Sequence, residues 1–257
     1  MPDPMIETIM FHERQEDSVR AFIGAASGRI PLARRPGQVN RRSIGDLVFR
    51  LFGSAWFLFL AAMVARDWHY HSPGDLAFSG FGGWSRQVSQ GALVLVYLTL
   101  WLMILIRPPP IARANGLMPN VMAFAGTYLP WVIGLMPRRE GPDAGVLIAS
   151  ALILAGNVLI FVTICHLGKS FSLVPQARRL VTAGPYAVVR HPLYLAEEIM
   201  IAGAALLYLS PMTIVVVCLH AALQIRRIFY EEEVLSQAFP DYAPYKSRTW
   251  RLIPCIW

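Results

Sequence analysis

Two short polar clusters in this chain carry residue types suited to chemistry. The first is Arg190-His191-Pro192, and the second is Glu231-Glu232-Glu233. Both lie at the ends of apolar runs long enough for membrane helices, and a charge at the centre of such a helix costs about 2.5–3.5 kcal/mol. Charged groups kept beside lipid need a function or a partner, so these clusters are the first candidates for a site.

The Arg-His-Pro cluster predicts an anion-binding turn. Gly184-Pro185 marks a turn before it, and Pro192 suits the first position of a helix while restricting His191 to extended geometry. A helix N-terminus attracts anions, and an arginine can hold a carboxylate or a phosphate with two hydrogen bonds. The same residues also fit a structural role, with Arg190 as a positive-inside anchor.

The glutamate cluster predicts a site for a cation or a proton. Carboxylates at the end of a membrane helix can bind an ammonium or sulfonium group, or act as a base. A solvated helix segment with ion pairs to nearby arginines explains them equally well. Glu197 and Glu198 lie one turn into an apolar helix, where an unpaired carboxylate is costly. We expect these two to face Arg190, a polar cavity or the C-terminal tail, and we expect interhelical hydrogen bonds from His166, His220 and Gln224.

Composition places the chain in a membrane. Of 257 residues, 55% are hydrophobic and 15% are charged, whereas soluble domains are about 25% charged. The net charge is +7, and the basic residues flank apolar runs, as the positive-inside rule and anionic lipid headgroups require. No nucleic-acid-binding motif is present. The three cysteines form no CxxC pair, and His69-Tyr70-His71 lacks a third ligand, so no metal site is predicted.

Hydropathy predicts an all-α fold, a polytopic membrane helix bundle of about five or six transmembrane segments. Ser210-Pro211 interrupts the last apolar run, which predicts a C-terminal helical hairpin followed by a cytosolic tail. The predicted organisation is a cytosolic N-terminal extension at 1–43, N-terminal transmembrane segments at 44–143, and a membrane domain with a site at 144–257. The spans before the hairpin are expected at 46–65, 87–106, 117–136 and 144–166.

The distribution of lysine and arginine between loops predicts the orientation. It places both termini in the cytosol and therefore brings the Arg-His-Pro loop and the glutamate cluster to the same, cytosolic face.

A series of short motifs in the C-terminal half resembles a known family. They are Leu167 to Ser172 (LGKSFS), Leu180 to Tyr194 (LVTAGPYAVVRHPLY), Arg227 to Glu232 (RIFYEE), Phe239 to Tyr245 (FPDYAPY) and Arg251 to Pro254 (RLIP). In this order and spacing they resemble the isoprenylcysteine carboxyl methyltransferase family and the related phospholipid methyltransferases. The resemblance covers roughly residues 145–257.

The resemblance implies a membrane-embedded enzyme that uses S-adenosylmethionine without a Rossmann domain. It implies cofactor contacts from Tyr186, Arg190, His191, Pro192, Tyr194, Glu231 and Glu232. It also implies catalytic roles for Glu232 and for Arg248, which matches a family arginine near the C-terminus. Glu233 has no clear counterpart. The family often has glycine where this chain has Ala196, which adds a methyl group where backbone and cofactor approach in the family.

The expected activity is methyl transfer to a carboxylate (isoprenylcysteine-like) or another lipophilic acceptor, with the lipid bilayer as surroundings. A carboxylate acceptor needs no base, and Arg248 would orient it. An alternative is phospholipid N-methylation of the phosphatidylethanolamine type, in which a glutamate takes the proton that leaves. A membrane reductase of the sterol-reductase type, using NADPH, and a non-enzymatic membrane scaffold are the other readings. The sequence does not indicate an oligomeric state.

Overall fold

The fold is a bundle of membrane helices. The computed structural model describes residues 44–70, 81–137 and 144–257, so the predicted N-terminal extension lies outside the described part. Four helices are long and apolar enough to cross a bilayer. They are α1 (Ile44–Tyr70), α2 (Phe81–Ile106), α4 (Ala144–Leu167) and α6 (Pro211–Ala238). The predicted all-α membrane bundle is confirmed.

The predicted span at 117–136 consists of two shorter helical pieces. Helix α3 covers Met118–Tyr128, and a 3₁₀ helix follows at Leu129–Leu135. Pro130 lies at the start of the 3₁₀ helix, where its missing N–H breaks the α-helical hydrogen bonding. The crossing of the bilayer by this pair, and by the 16-residue helix α5 (Pro192–Leu207), stays a prediction.

The predicted helical hairpin at the C-terminal end is confirmed. Helix α5 ends at Leu207, and α6 begins at Pro211 with Ser210 as its N-cap. The Ser210 hydroxyl accepts a hydrogen bond from the Thr213 backbone N–H at 3.1 Å, which satisfies one of the unpaired donors of the first turn. The two helices run antiparallel, since Glu198 near the start of α5 contacts His220 well into α6.

Helices α4 and α5 pack unusually closely because glycine lies at their contacts. A side chain at Gly156 would meet the backbone of Met200, and one at Gly203 would meet the carbonyl oxygen of Ala149 at 2.6 Å. Small residues at such contacts let the backbones of membrane helices approach closely. Ala196 is buried in the same core, against Ile160 and Ile164 among others, and is not among the residues that line the cavity described below.

Short pieces of sheet join the loops at one end of the bundle. Strand β1 (Ala112–Arg113), after α2, pairs antiparallel with β2 (Gln176–Ala177), after α4. Val189, just before α5, forms a parallel bridge with Trp250 in the tail, which follows the short helix α7 (Tyr242–Lys246). The Arg-His-Pro loop and the C-terminal tail therefore lie together, as expected; that this end faces the cytosol stays a prediction.

Candidate active site

The Arg-His-Pro loop is shaped by its glycine and prolines and is fixed to the tail. A 3₁₀ turn at Gly184–Ala187 begins with Gly184 at a φ of 64°, a left-handed conformation that favours glycine. Pro192 starts α5, as predicted. The backbone N–H of Arg190 donates to the Trp250 carbonyl at 2.7 Å, and that of His191 donates to the Arg251 carbonyl at 3.1 Å. The backbone thus sets where both side chains lie.

Glu232 is the centre of a buried ion cluster. Its side chain is almost fully buried, and Arg190 Nε donates to its Oε1 at 2.9 Å. Arg251 donates to both carboxylate oxygens, at 3.2 Å to Oε1 and 3.0 Å to Oε2. His191 Nε2 lies 3.4 Å from Oε1. With both oxygens bonded to arginines, this carboxylate joins the helix, the loop and the tail.

The arginines of this cluster are themselves held in place. Arg190 Nη1 donates to the carbonyl oxygens of Lys246, at 2.8 Å, and of Thr249. The guanidinium of Arg251 lies 4.9 Å from the ring centres of both Phe229 and Trp257. Such cation–π contacts add to the ion pairs in a dry environment.

A cavity of about 360 Å³ begins beside this cluster and extends into the membrane part of the bundle. Its polar end is lined by residues of the loop, of α6 and of the tail: Tyr186, Arg190, His191, Glu231, Tyr242 and Tyr245. Its apolar arm is lined by residues from α1, α2, α4 and the 3₁₀ helix, including Phe57, Leu60, Val96, Leu100, Trp131 and Ile160. One continuous space therefore connects charged groups to a hydrocarbon-like surface.

Glu231 lines the polar end of the cavity and is oriented by Tyr194. The Tyr194 hydroxyl donates to Glu231 Oε2 at 2.9 Å. The ring of Tyr194 stacks on that of His191, with centroids 5.6 Å apart. The glutamate carboxylate is thus positioned beside the loop, with its side chain about one third exposed.

Arg227 lies one helical turn before Glu231 and also lines the cavity. Its side chain is 4% exposed, and its guanidinium lies 4.9 Å from the Tyr194 ring centre. Its Nη1 donates to Gln224 Oε1 at 2.6 Å, and Gln224 in turn donates to Glu197 Oε2 at 2.5 Å. A buried cation therefore lies between two cavity-lining carboxylates.

Three tyrosines near the loop keep their hydroxyl protons. Burial raises the pKa of Tyr245 to about 12 and raises the pKa of Tyr186 and Tyr242 well above the usual value. The Tyr245 hydroxyl donates to the Tyr186 carbonyl at 2.8 Å. The Tyr242 hydroxyl oxygen is buried without a hydrogen-bond partner among the described residues. It is a donor available to a ligand at this end of the cavity.

The structure brings most of the predicted site residues together. Tyr186, Arg190, His191, Tyr194 and Glu231 line the cavity. Pro192 and Glu232 lie next to these residues in the chain but are not among the lining residues. The glutamate that faces the cavity is Glu231, while its neighbour holds the tail.

Arg248 is the predicted residue that the structure does not bring to the site. Its side chain is exposed, and its Nε donates to the Pro244 carbonyl at 3.1 Å, back along its own helical turn. The C-terminal arginine that reaches the buried cluster is Arg251, three residues later. The RLIP motif marked Arg251, but the sequence did not show which of the two arginines is buried.

Sequence reasoning also missed residues that shape the cavity. Arg227 was part of a recognised motif but received no role. Glu197 faces a polar cavity, one of the three expectations for it, and its partner is Gln224. The expected interhelical hydrogen bond of Gln224 is confirmed. His220 Nδ1 lies 3.1 Å from Glu198 Oε1 of the neighbouring helix, whereas the hydrogen bond of His166 stays within its own helix, to the Val162 carbonyl. The contribution of α1 and α2 had no signal beyond apolar composition, which every span shares.

A family comparison covers the part of the chain that contains the Arg-His-Pro loop and the glutamates. Residues 144–242 match the family model described as phospholipid methyltransferase. This match to a family of membrane methyltransferases confirms the resemblance noted in the sequence for the C-terminal part of the chain.

Two curated proteins are similar over part of their length. The cobalt-zinc-cadmium resistance protein CzcN of Cupriavidus metallidurans is 37% identical over 76 residues, which cover 29% of this chain and 35% of CzcN. The nickel-cobalt-cadmium resistance protein NccN of Alcaligenes xylosoxydans xylosoxydans is 30% identical over 112 residues, covering 42% of this chain and 52% of NccN. The matched part thus spans at most about half the length of these relatives.

Proposed function

We propose that the protein is an S-adenosylmethionine-dependent methyltransferase that modifies a lipophilic acceptor within the membrane. The observation that carries this proposal is the continuous cavity, polar at the loop–tail end and apolar along its membrane arm. The match of residues 144–242 to the phospholipid methyltransferase family model supports methyl transfer as the reaction. The cytosolic face remains our expectation for the polar end.

The residues at the polar end suit such a cofactor. S-Adenosylmethionine combines a positive sulfonium, an amino-acid group and an aromatic base. The cavity offers the Glu231 carboxylate for positive charge, the buried Tyr242 hydroxyl for a hydrogen bond, and tyrosine rings for the base. Tyr186, Arg190, His191, Tyr194 and Glu231 are therefore the residues that would hold it. When bound, the cofactor supplies an electrophilic methyl group.

The protein's contribution to the reaction is mainly alignment and exclusion of water. Holding two reactants in line can lower the barrier by about 7–11 kcal/mol. Tyr194 orients Glu231, and the ion cluster around Glu232 fixes the loop that forms the wall. The apolar arm would hold the hydrocarbon part of the acceptor, next to the transferred methyl group.

Arg227 favours an acceptor that carries a negative group. It is buried, it lines the cavity, and its Nε has no hydrogen-bond partner among the described residues. A carboxylate acceptor held there would need no base, which fits an isoprenylcysteine-like substrate. Because Arg248 lies at the surface, we assign this orienting role to Arg227 instead.

A phospholipid amine is the second candidate acceptor, favoured by the description of the matching family. Its phosphate would lie by Arg227, and its amine would lose a proton on methylation. Glu231 is the carboxylate of the triplet that lines the cavity, so it would take that proton.

A methyl-transfer assay tests the proposal. Purified protein in lipid nanodiscs is incubated with methyl-tritiated S-adenosylmethionine and a bacterial lipid extract, and the lipid phase is counted and its labelled product identified. We expect label in a lipophilic product, and loss of most of it in Arg227→Gln. Absence of label, together with binding of NADPH, would support the reductase instead.

A further inference from the structure

Asn157 is a polar residue inside a membrane helix, and its amide oxygen has no hydrogen-bond partner among the described residues. It lies in the middle of α4, within the most apolar of the membrane-spanning segments, and its side chain is 2% exposed. Its Oδ1 is buried without a hydrogen-bond partner among the described residues. Asparagines in membrane helices usually bond to a neighbouring helix, and a buried amide without a partner destabilises the fold.

Asn157 faces the cavity. It shares one face of α4 with other lining residues at helical spacing, namely Ile153, Ile160 and Ile164. The preceding residue, Gly156, packs on Met200 of α5. Asn157 therefore lies about half a helical turn deeper than Glu197 along the α4–α5 contact, away from the loop–tail end.

Two other helices bring polar groups to the same part of the cavity. Glu197 of α5 lines it and, among the described residues, accepts a hydrogen bond on Oε2 alone, from Gln224. His220 of α6 lines it as well and is 1% exposed, with its Nδ1 3.1 Å from Glu198 Oε1. The surrounding wall is apolar. Asn157, Glu197 and His220 are not among the residues that we expect to hold the cofactor.

We propose that Asn157 and Glu197 form a binding subsite for a hydrogen-bond-donating group, an amine or a hydroxyl, carried by the lipophilic molecule in the cavity. The oxygens of the Asn157 amide and of Glu197 are acceptors, so a donor on the ligand satisfies them, whereas a plain hydrocarbon chain leaves them unpaired. The inference rests on the proposed function only in taking this molecule to be the methyl acceptor. On this proposal, the methyl acceptor is a lipid whose hydrogen-bond donor lies in the part of the cavity within the membrane.

The test compares three brominated probe molecules with hydrocarbon chains of equal length that differ only in their head group: 11-bromoundecylamine, 11-bromo-1-undecanol and 1-bromoundecane. Bromine quenches tryptophan fluorescence on contact, and Trp56 and Trp131 line the same cavity. Full-length protein in phosphatidylcholine nanodiscs is titrated without cofactor. For each variant, the affinity for a polar probe is divided by the affinity for 1-bromoundecane. Partitioning of the probes into lipid then cancels when variants are compared.

We expect the wild type to prefer a polar probe, and Asn157→Leu to lower that preference by about tenfold. The matched control is Thr163→Val, because Thr163 is buried in the same helix but does not line the cavity; it should keep the wild-type ratio. Asn157→Ala replaces the leucine variant where leucine prevents folding, with the same expected loss. A ratio unchanged in the folded Asn157 variant overturns the inference.

Glu197→Gln distinguishes the two donors. If Glu197→Gln loses the preference for the amine probe alone, the ligand group is a cationic amine. If Glu197→Gln keeps the preference for the alcohol probe, and the Asn157 variant loses it, the ligand group is a hydroxyl. Because binding is measured without S-adenosylmethionine, failure of methyl transfer in the separate assay would leave this result standing.

Discussion

Glu231 and Glu232 are neighbours in the chain with opposite surroundings. Successive residues of a helix point about 100° apart, so one carboxylate faces the cavity while the next faces the tail. Glu231 accepts a hydrogen bond from Tyr194 and lines the cavity. Glu232 accepts from Arg190 and Arg251 and is buried. We therefore propose separate roles for the adjacent acids, with Glu231 in binding and Glu232 in holding the fold.

Replacing each glutamate by glutamine should separate these roles. Glu232→Gln removes a buried charge that faces two arginines, and breaking such a pair costs about 3–5 kcal/mol. Glu231→Gln should leave stability nearly unchanged and weaken cofactor binding. Thermal unfolding in nanodiscs, followed by tryptophan fluorescence, measures the first effect. Equal melting temperatures for the two variants would contradict this assignment.

Gly126 gives Arg227 its place, and an added methyl group should displace it. A Cβ at Gly126 would lie 2.8 Å from Arg227 Cδ and 3.0 Å from its Nη1, closer than such atoms can pack. Gly126→Ala should therefore lower methyl transfer by about tenfold or more while the protein stays folded. Gly134→Ala, with no heavy atom within 4 Å of the added carbon, is the matched control. Equal activity of the two variants would show that Arg227 does not orient the acceptor.

At the residue scale, sequence reasoning identified the loop and the glutamates because their motifs are contiguous and their polarity is conspicuous beside lipid. It could not choose between Arg248 and Arg251, since both lie in the same basic tail. The difference arises from backbone pairing of Trp250 with the Arg-His-Pro loop, which buries the second arginine and leaves the first in solvent.

At the scale of elements, the α5–α6 hairpin and its close contact with α4 hold the two walls of the site. The hairpin was predictable because Ser210-Pro211 combines a helix N-cap with a proline at the first helical position. The division of 117–136 into α3 and a 3₁₀ helix was not predicted, although Pro130 marks the point of the break. Proline is tolerated in membrane helices when neighbouring groups satisfy the freed carbonyl oxygens. The presence of Pro130 therefore did not decide between one continuous helix and two shorter helical pieces.

The α4–α5 contact predicts a stability effect at Gly203. An added Cβ there would lie 2.6 Å from the Ala149 carbonyl oxygen and 2.9 Å from the Ile153 backbone nitrogen. Because backbone atoms cannot easily move aside, Gly203→Ala should destabilise the protein by about 1–3 kcal/mol. Thermal unfolding against Gly134→Ala measures it. A melting temperature equal to that of the control would mean that the helices separate at little cost.

At the scale of the whole molecule, the site depends on parts of the chain that are far apart in sequence. The polar end comes from the loop, α6 and the tail, and the apolar arm draws on α1, α2 and the 3₁₀ helix. The sequence motifs predicted the polar end, whereas residues 44–143 were predicted only as transmembrane segments that frame the site region. Apolar composition alone could not show that this frame lines a cavity, since lipid-facing and cavity-facing residues have the same character.

The central claim is that the polar end of this cavity binds an S-adenosyl cofactor through the loop and Glu231. Isothermal titration calorimetry with S-adenosylhomocysteine, on the full chain in nanodiscs, tests it most directly. We expect binding by the wild type, binding weakened at least about tenfold in Glu231→Gln because a charge-assisted contact is lost, and wild-type affinity in Arg248→Gln. No heat of binding by the folded wild type, or equal affinity in Glu231→Gln, would contradict it.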